Sequence, residues 1–153
     1  MKYQYFKKIG ISLIALSIST AVYARETCVK ANNADAAELF EKWNQSLTSG
    51  DPNEVAQNYA QDAILIPTLS NQIRFTNKQR IDYFKHFLIK KPIARVNFNK
   101  IKTGCNRIID SGIYTFTFDD NSQIKARYTF TYMNDGNKWL ITSHHSSLMP
   151  EKE

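Results

Sequence analysis

The sequence predicts an α+β domain in which helices come first and a run of antiparallel strands follows. Two observations carry this reading. Up to about residue 91 the apolar side chains recur at helical spacing, and from Ala94 onward they alternate with polar ones. The turn signals "DDNS" at 119–122 and "NDGN" at 134–137 then separate the alternating runs. Helices gathered ahead of strands pack on one face of a curved sheet.

Residues 1–24 stand apart from that domain. "MKYQYFKK" is short and basic, and "IGISLIALSISTAV" is apolar but short for a membrane span. Val22 and Ala24 are small residues at the spacing a signal peptidase reads. This predicts a signal peptide cleaved after Ala24 and a secreted or periplasmic protein; the alternative is an uncleaved N-terminal anchor. No later segment is apolar and long enough to cross a membrane as a helix. Residues 25–33, "RETCVKANN", form a polar extended segment, and residues 34–151 form the domain proper.

Within the domain, Ala36, Leu39, Phe40, Trp43 and Leu47 mark a first helix, capped by Asp35 and ended by Gly50. "DPNEVAQNYAQ" suits a second, with Asp51 as cap, Pro52 in the first turn, and Val55, Ala56 and Tyr59 on one side. "DAILIPTLSN" reads as a strand ending at Pro67, and "QIRFT" as a short one carrying Arg74. "NKQRIDYFKHFLIKK" is a third helix, with Asn77 as cap and Ile81, Phe84, Phe87 and Leu88 as its apolar stripe. Four strands follow, in "ARVNFNKIKTG", "SGIYTFTFDD", "QIKARYTFTYM" and "KWLITSHHS". In the third of these, Arg127, Thr129 and Thr131 share one face while Tyr128, Phe130 and Tyr132 share the other. Both faces of such a sheet want an occupant, helices on one and a pocket or a partner subunit on the other.

Charge and cysteines narrow the function. Lys2, Lys7 and Lys8 leave with the signal, so 20 basic residues fall to 17 against 14 acidic. The remaining excess is small and scattered, which argues against nucleic-acid binding. Cys28 and Cys105 are the only cysteines, and in an exported chain the simplest reading is a disulfide; the alternative is two free thiols. Neither sits in a Cys-x-x-Cys redox motif. His144 and His145 are adjacent on a strand, so they point to opposite faces and cannot share one metal ion. His86 lies on the third helix, and no cluster of carboxylates or cysteines completes a coordination set, so no metal or cofactor is expected. No Gly-x-Ser-x-Gly elbow is present, and Asp62, Asp110, Asp119 and Asp120 read as turn or strand-end residues. Whichever of His144 and His145 faces inward is the candidate base; the other reading is a packed, hydrogen-bonded imidazole.

The runs "SGIYTFTF" and "KARYTFTYMNDGNKWLITSHHSSLMPE" resemble bacterial relatives of the calcium/calmodulin-dependent protein kinase II association domain. These are the SgcJ/EcaC family of the SnoaL-like, nuclear transport factor 2-like superfamily. "FEKWNQSLTSGDPNEVAQNYAQDAILIPTLSNQIR" and "IDYFKHFLIKKP" resemble the family's first half and third helix. The resemblance implies a cone-shaped, cystatin-like fold, a strongly curved sheet around a long helix, with a deep pocket. It also implies homodimers or larger rings built through the sheet. "GCN" at 104–106 and an early cysteine resemble exported members, which supports a Cys28–Cys105 disulfide. By position, the resemblance implies pocket roles for Arg127, for Arg74 in "SNQIR", and for His145, six residues after Trp139; Trp43, Tyr59 and Tyr114 are candidate wall residues. Kinase activity is not implied, because the chain has no Gly-rich phosphate loop, no His-Arg-Asp loop and no Asp-Phe-Gly. Nor does it carry a basic amphipathic helix of the calmodulin-target type.

An arginine in a pocket without a carboxylate beside it wants an anion. The expected function is therefore an exported, self-associating binding module for a small anionic molecule, with no chemistry of its own. One alternative is an isomerase- or cyclase-type enzyme with His145 or a buried Asp as base. The other is a pure assembly scaffold. Sequence leaves the question of enzymatic activity open.

Overall fold

The computed structural model describes residues 27–150; the expected signal at 1–24 lies outside the described residues. The elements run α1 (Asn33–Thr48), α2 (Pro52–Ala56), β1 (Tyr59–Ile66), α3 (Asn77–Phe87) with a 3-10 turn at Leu88–Lys90, then β2 (Ile93–Gly104), β3 (Arg107–Thr117), β4 (Gln123–Asn134) and β5 (Trp139–Leu148). The strands form one sheet in the order β1-β5-β4-β3-β2. The last four pair antiparallel, as their alternation and turns predict, and β1 joins the far edge parallel to β5.

Both long helices are capped ahead of the expected residue, α1 by three positions and α3 by one. Asn32, not Asp35, caps α1: its side chain accepts from Ala34 N at 2.7 Å, while the Asp35 carboxylate accepts from Asn32 N at 2.6 Å. Thr76 rather than Asn77 caps α3, with Gln79 completing the same reciprocal box. Gly50, at φ +72°, turns the chain out of α1. The second helix stops at Ala56, so Tyr59 opens β1 instead of closing a helix. "QIRFT" makes no strand; Arg74 forms a single bridge with Leu65, with N–O distances of 3.0 and 2.8 Å.

The sheet curves at three register shifts, in β1 between Tyr59 and Ile64, in β2 between Val96 and Phe98, and between β4 and β5 beside Thr131. Gly112 permits the second: a Cβ there would overlap the Phe98 carbonyl and Asn99. Helix α1 lies in the concave side and buries Ala36, Phe40, Trp43 and Leu47. The Trp43 ring meets Phe130 edge-on at 5.1 Å, and Phe40 meets Phe130 at 6.0 Å. Asn44 ties the same helix to the sheet edge, donating to the Ala94 carbonyl at 2.9 Å and accepting from its N–H at 2.8 Å.

On α3 the position expected for Ile81 in the core is taken by Arg80, which is fully buried, while Ile81 is half-buried. Its guanidinium donates to the carbonyls of Ala63 at 2.6 Å, Ala60 at 2.9 Å and Gln61 at 3.0 Å, all on β1. It also lies 5.8 Å from the Tyr59 ring centroid. These carbonyls fall in the β1 register shift.

Cys28 and Cys105 are disulfide-bonded across 77 residues, with Cα atoms 5.1 Å apart. Asn106 reinforces this link, accepting from Val29 N at 2.7 Å and donating to the Thr27 carbonyl at 3.1 Å.

Two stability measurements follow from these contacts. In urea, Arg80→Met should lose about 3 kcal/mol, because it strands the buried Ala63 carbonyl and two half-buried ones. A loss below about 1 kcal/mol would show that β1 does not depend on Arg80. Cys28→Ser removes the closure of a long loop and should cost about 4 kcal/mol in the chain-entropy account. An unchanged melting temperature would remove the cross-link from the account of stability.

Candidate functional site

The sheet has two faces, and the expected pocket residues divide between them. Tyr128, Phe130 and Tyr132 point into the concave core. Opposite Phe130 on β5 stands His144, and opposite Thr129 stands His145. His144 is therefore buried, and His145 is exposed on the convex face. Arg127 lies on that convex face too, its Nη2 donating to the Leu148 carbonyl at 3.4 Å. It lines a shallow depression of about 280 Å³ with Tyr128, Thr129, His145 and Ser147. So Arg127 and His145 keep company with each other but not with the interior cavity expected for them.

The reason is local. Ile141 faces the core, and strict alternation from it would turn Ser143 and His145 inward. The ladder instead pairs Tyr132 with Ile141 and then Thr131 with Ser143, so Thr142 is an extra residue. That bulge reverses the parity and brings His144 and Ser146 inside.

On the concave side a chain of polar groups runs through the aromatic core. The Trp43 indole N–H donates to the Tyr59 hydroxyl at 3.1 Å. The Tyr59 hydroxyl lies 2.9 Å from His144 Nδ1. His144 Nε2 lies 3.4 Å from the Tyr114 hydroxyl, which donates to Ser146 Oγ at 2.6 Å. Ser146 Oγ is in turn hydrogen-bonded to Thr68 Oγ1. The His144 ring stacks on Phe130 at 3.9 Å and meets Trp43 edge-on at 5.2 Å. Of the expected wall residues, Trp43, Tyr59 and Tyr114 thus meet here, and His144 is the inward-facing one of the two histidines; Ser146 and Thr68 were not among the expected site residues.

The chain ends on a cavity of about 20 Å³, enough for one water-sized molecule. Thr68, Tyr114, His144 and Ser146 line its polar side, and Leu65, Phe84, Phe116 and Ile124 its apolar side. Leu69, Tyr83, Phe87 and Phe118 form a neck shared with an outer vestibule of about 450 Å³. Arg74, His86 and Lys90 line that vestibule, with Asp82 among them. Arg74 is held by Gln72 Oε1 at 2.6 Å and Ser70 Oγ at 3.0 Å and lies 5.8 Å from the Tyr83 ring centroid. So Arg74 stands at the mouth of the cavity, outside its floor.

Burial sets the protonation of the floor. It pushes the His144 pKa down to about 3, aided by the neighbouring His145, so the ring is neutral at ordinary pH. Burial raises the Tyr59 and Tyr114 hydroxyls well above their usual range, so both keep their protons. Asp110, the buried carboxyl on β3, is raised by burial against the lowering effect of its bond from Tyr128. It is not a lining residue of the cavity. Among the described residues, no three His, Cys, Asp or Glu side chains group as a metal site would need.

These shifts give a pH dependence with a definite sign. Between about pH 6.5 and pH 3 the unfolded chain protonates His144 and the native chain does not. Stability therefore falls with acid by about 1.4 kcal/mol per pH unit through that window. Asp110 acts oppositely, its stabilisation being lost as pH rises past the ordinary carboxyl range. Subtracting the profile of His144→Gln from that of the wild type cancels Asp110 and should leave a slope of one proton. Parallel profiles would show that His144 is not held neutral.

Comparison with known proteins places this arrangement. No curated protein matches the sequence. A Xanthomonas campestris structure assigned to the calcium/calmodulin dependent protein kinase II association domain superposes with TM-score 0.75 at 41% identity, covering 80% of this chain and 91% of that one. A nuclear transport factor 2-like protein of unknown function from Pseudomonas putida has TM-score 0.68 at 14% identity, covering 78% and 88%. The iota-carbonic anhydrase from a cyanobacterium, complexed with bicarbonate, has TM-score 0.72 at 16% identity, covering 80% and 95%. The last two share the cone-shaped fold. Residues 32–150 match the family description calcium/calmodulin dependent protein kinase II association domain, and this chain belongs to that family.

Proposed function

We propose that the protein binds bicarbonate and carbon dioxide with one oxygen in the inner cavity and the rest of the molecule in its neck, and interconverts them there. The observation that carries this reading is the buried chain of hydroxyls and imidazole ending on a cavity with room for a single oxygen-sized group, below a neck that opens to the vestibule. A larger acidic ligand would meet Arg74 in the vestibule but could not reach the floor. The cyanobacterial carbonic anhydrase, similar in fold and complexed with bicarbonate, supports the same ligand.

The layers of the site suit the two species. Carbon dioxide is apolar and passes the Leu69, Tyr83, Phe87 and Phe118 neck. As a water oxygen bonds its carbon, negative charge develops on a carbon dioxide oxygen, and the hydroxyls at the floor stabilise it. The proton shed by the water leaves to solvent through the vestibule, and the bicarbonate formed is drawn out past Arg74 and Lys90. His144 stays neutral and holds Tyr114 in place; its lowered pKa rules it out as the resting place of that proton.

Membership of an association-domain family implies self-association. We place it on the convex face, where Phe98, Ile113 and Arg127 lie side by side in register, next to Ser111, Thr129 and His145. Export to an oxidising compartment belongs to the same reading. The disulfide fits it, and no described helix is long and apolar enough to cross a membrane.

Stopped-flow hydration of carbon dioxide with a pH indicator tests the reaction. The purified protein should accelerate it, and the double variant Ser146→Ala with Thr68→Val should lower the rate by about 100-fold, as loss of an oxyanion donor does elsewhere. A wild-type protein that neither accelerates hydration nor perturbs the ¹³C signal of bicarbonate would sink the proposal.

A further inference from the structure

The reaction proposed above makes no use of the indole N–H of Trp43, although it is buried and bonded at the far end of the chain. We propose that Trp43 is a positioning residue that fixes the direction of the hydrogen bonds from its own indole as far as Ser146, so that the floor offers a hydroxyl hydrogen to the cavity and selects ligands by an acceptor oxygen. The selection of ligand rests on the functional reading above; the fixed direction does not.

An indole N–H can only donate. Its acceptor is the Tyr59 hydroxyl oxygen, 3.1 Å away, so the Tyr59 hydrogen must go elsewhere. The neighbour that can receive it is His144 Nδ1, at 2.9 Å. Nδ1 is then the acceptor of the ring, and a neutral imidazole carries its hydrogen on Nε2. Nε2–H points at the Tyr114 oxygen at 3.4 Å, the longest link. Tyr114 donates to Ser146 at 2.6 Å, and whichever of Ser146 and Thr68 donates in the bond between them, the other's hydrogen is left for the cavity.

The reverse order has a specific defect. A His144 ring with its hydrogen on Nδ1 would donate to the Tyr59 oxygen, which already receives the indole hydrogen. The Tyr59 hydrogen would be buried without an acceptor. Such an orphan disfavours that tautomer by roughly ten- to a hundredfold. Trp43 therefore acts on the ligand only through other residues. Its effect is a site that accepts a carbonyl or carboxylate-type oxygen and opposes an amine or ammonium.

Nitrogen-15 NMR of the histidine-labelled protein reads the tautomer directly. The wild type should show His144 with its hydrogen on Nε2 alone. In Trp43→Phe and in Tyr59→Phe the bias should fall at least fivefold, giving a measurable share of the Nδ1–H form. The second variant keeps both rings, so it carries the test if Trp43→Phe does not fold. An Nδ1–H ring or an even mixture in the wild type would overturn the proposal, as would folded variants that both stay purely Nε2–H. The bicarbonate Kd from ¹³C titration should rise about tenfold in the variants; an unchanged Kd beside a shifted tautomer would overturn the selection of ligand. A wild type without hydration activity would defeat the proposed reaction and leave the tautomer result standing.

Discussion

A cation buried without a carboxylate holds this structure in register. Arg80 spends its fork on the carbonyls of Ala60, Gln61 and Ala63, which the irregular start of β1 would otherwise leave unpaired. The two features require each other. A regular strand would satisfy those carbonyls itself and leave the guanidinium stranded, and an irregular one without Arg80 would bury bare acceptors. Burial lowers the Arg80 pKa, but a guanidinium remains charged, so the cation stays and the backbone answers it. Tyr59 sits at the head of this segment, with its ring beside the guanidinium and its hydroxyl between Trp43 and His144. The position of the site thus descends from an arginine that touches no ligand.

The aromatic content of the sequence is placed in the same economy. Trp43 and Phe130 pack on the His144 ring, and Phe40 packs on both of them. Polarity then grades along one path, with charge at the vestibule, aromatic and aliphatic side chains at the neck, and hydroxyls at the floor. In the proposed reaction, such grading separates recognition of the anion from handling of its uncharged partner. The convex face carries a different mixture, with Arg127, Thr129 and His145 among apolar residues. One sheet therefore serves two purposes because alternate residues serve different sides.

Much of this was legible in the sequence. The spacing of Ala36, Phe40, Trp43 and Leu47 gave the central helix, and period-two runs gave four strands. The division of β4 into an aromatic and a semi-polar face held, and the structure decides that the aromatic side is inward. What failed did so for local reasons. One extra residue at Thr142 exchanges the roles of His144 and His145, and no periodicity reveals a bulge of one residue. The aromatic row of β4 would have pointed to the right histidine had its register with β5 been known. Arg80 escaped notice because an arginine in a helix reads as surface, and its partners are carbonyls that no side-chain pattern encodes. The helix caps moved by one to three residues because Asn32 and Thr76 each had a competing polar neighbour.

The clasp between Asn44 and Ala94 also bears on how copies of this chain can meet. It occupies the outward N–H and carbonyl of β2, the strand at one border of the sheet. At the opposite border, Arg74 occupies those of Leu65 on β1. Each border is closed at one point, which interrupts the run of free backbone groups that an incoming strand would need. Growth by strand addition, the route to open-ended fibres, is thereby obstructed on both sides. Contacts between faces avoid that route, and an isologous one closes on itself at a finite number of copies.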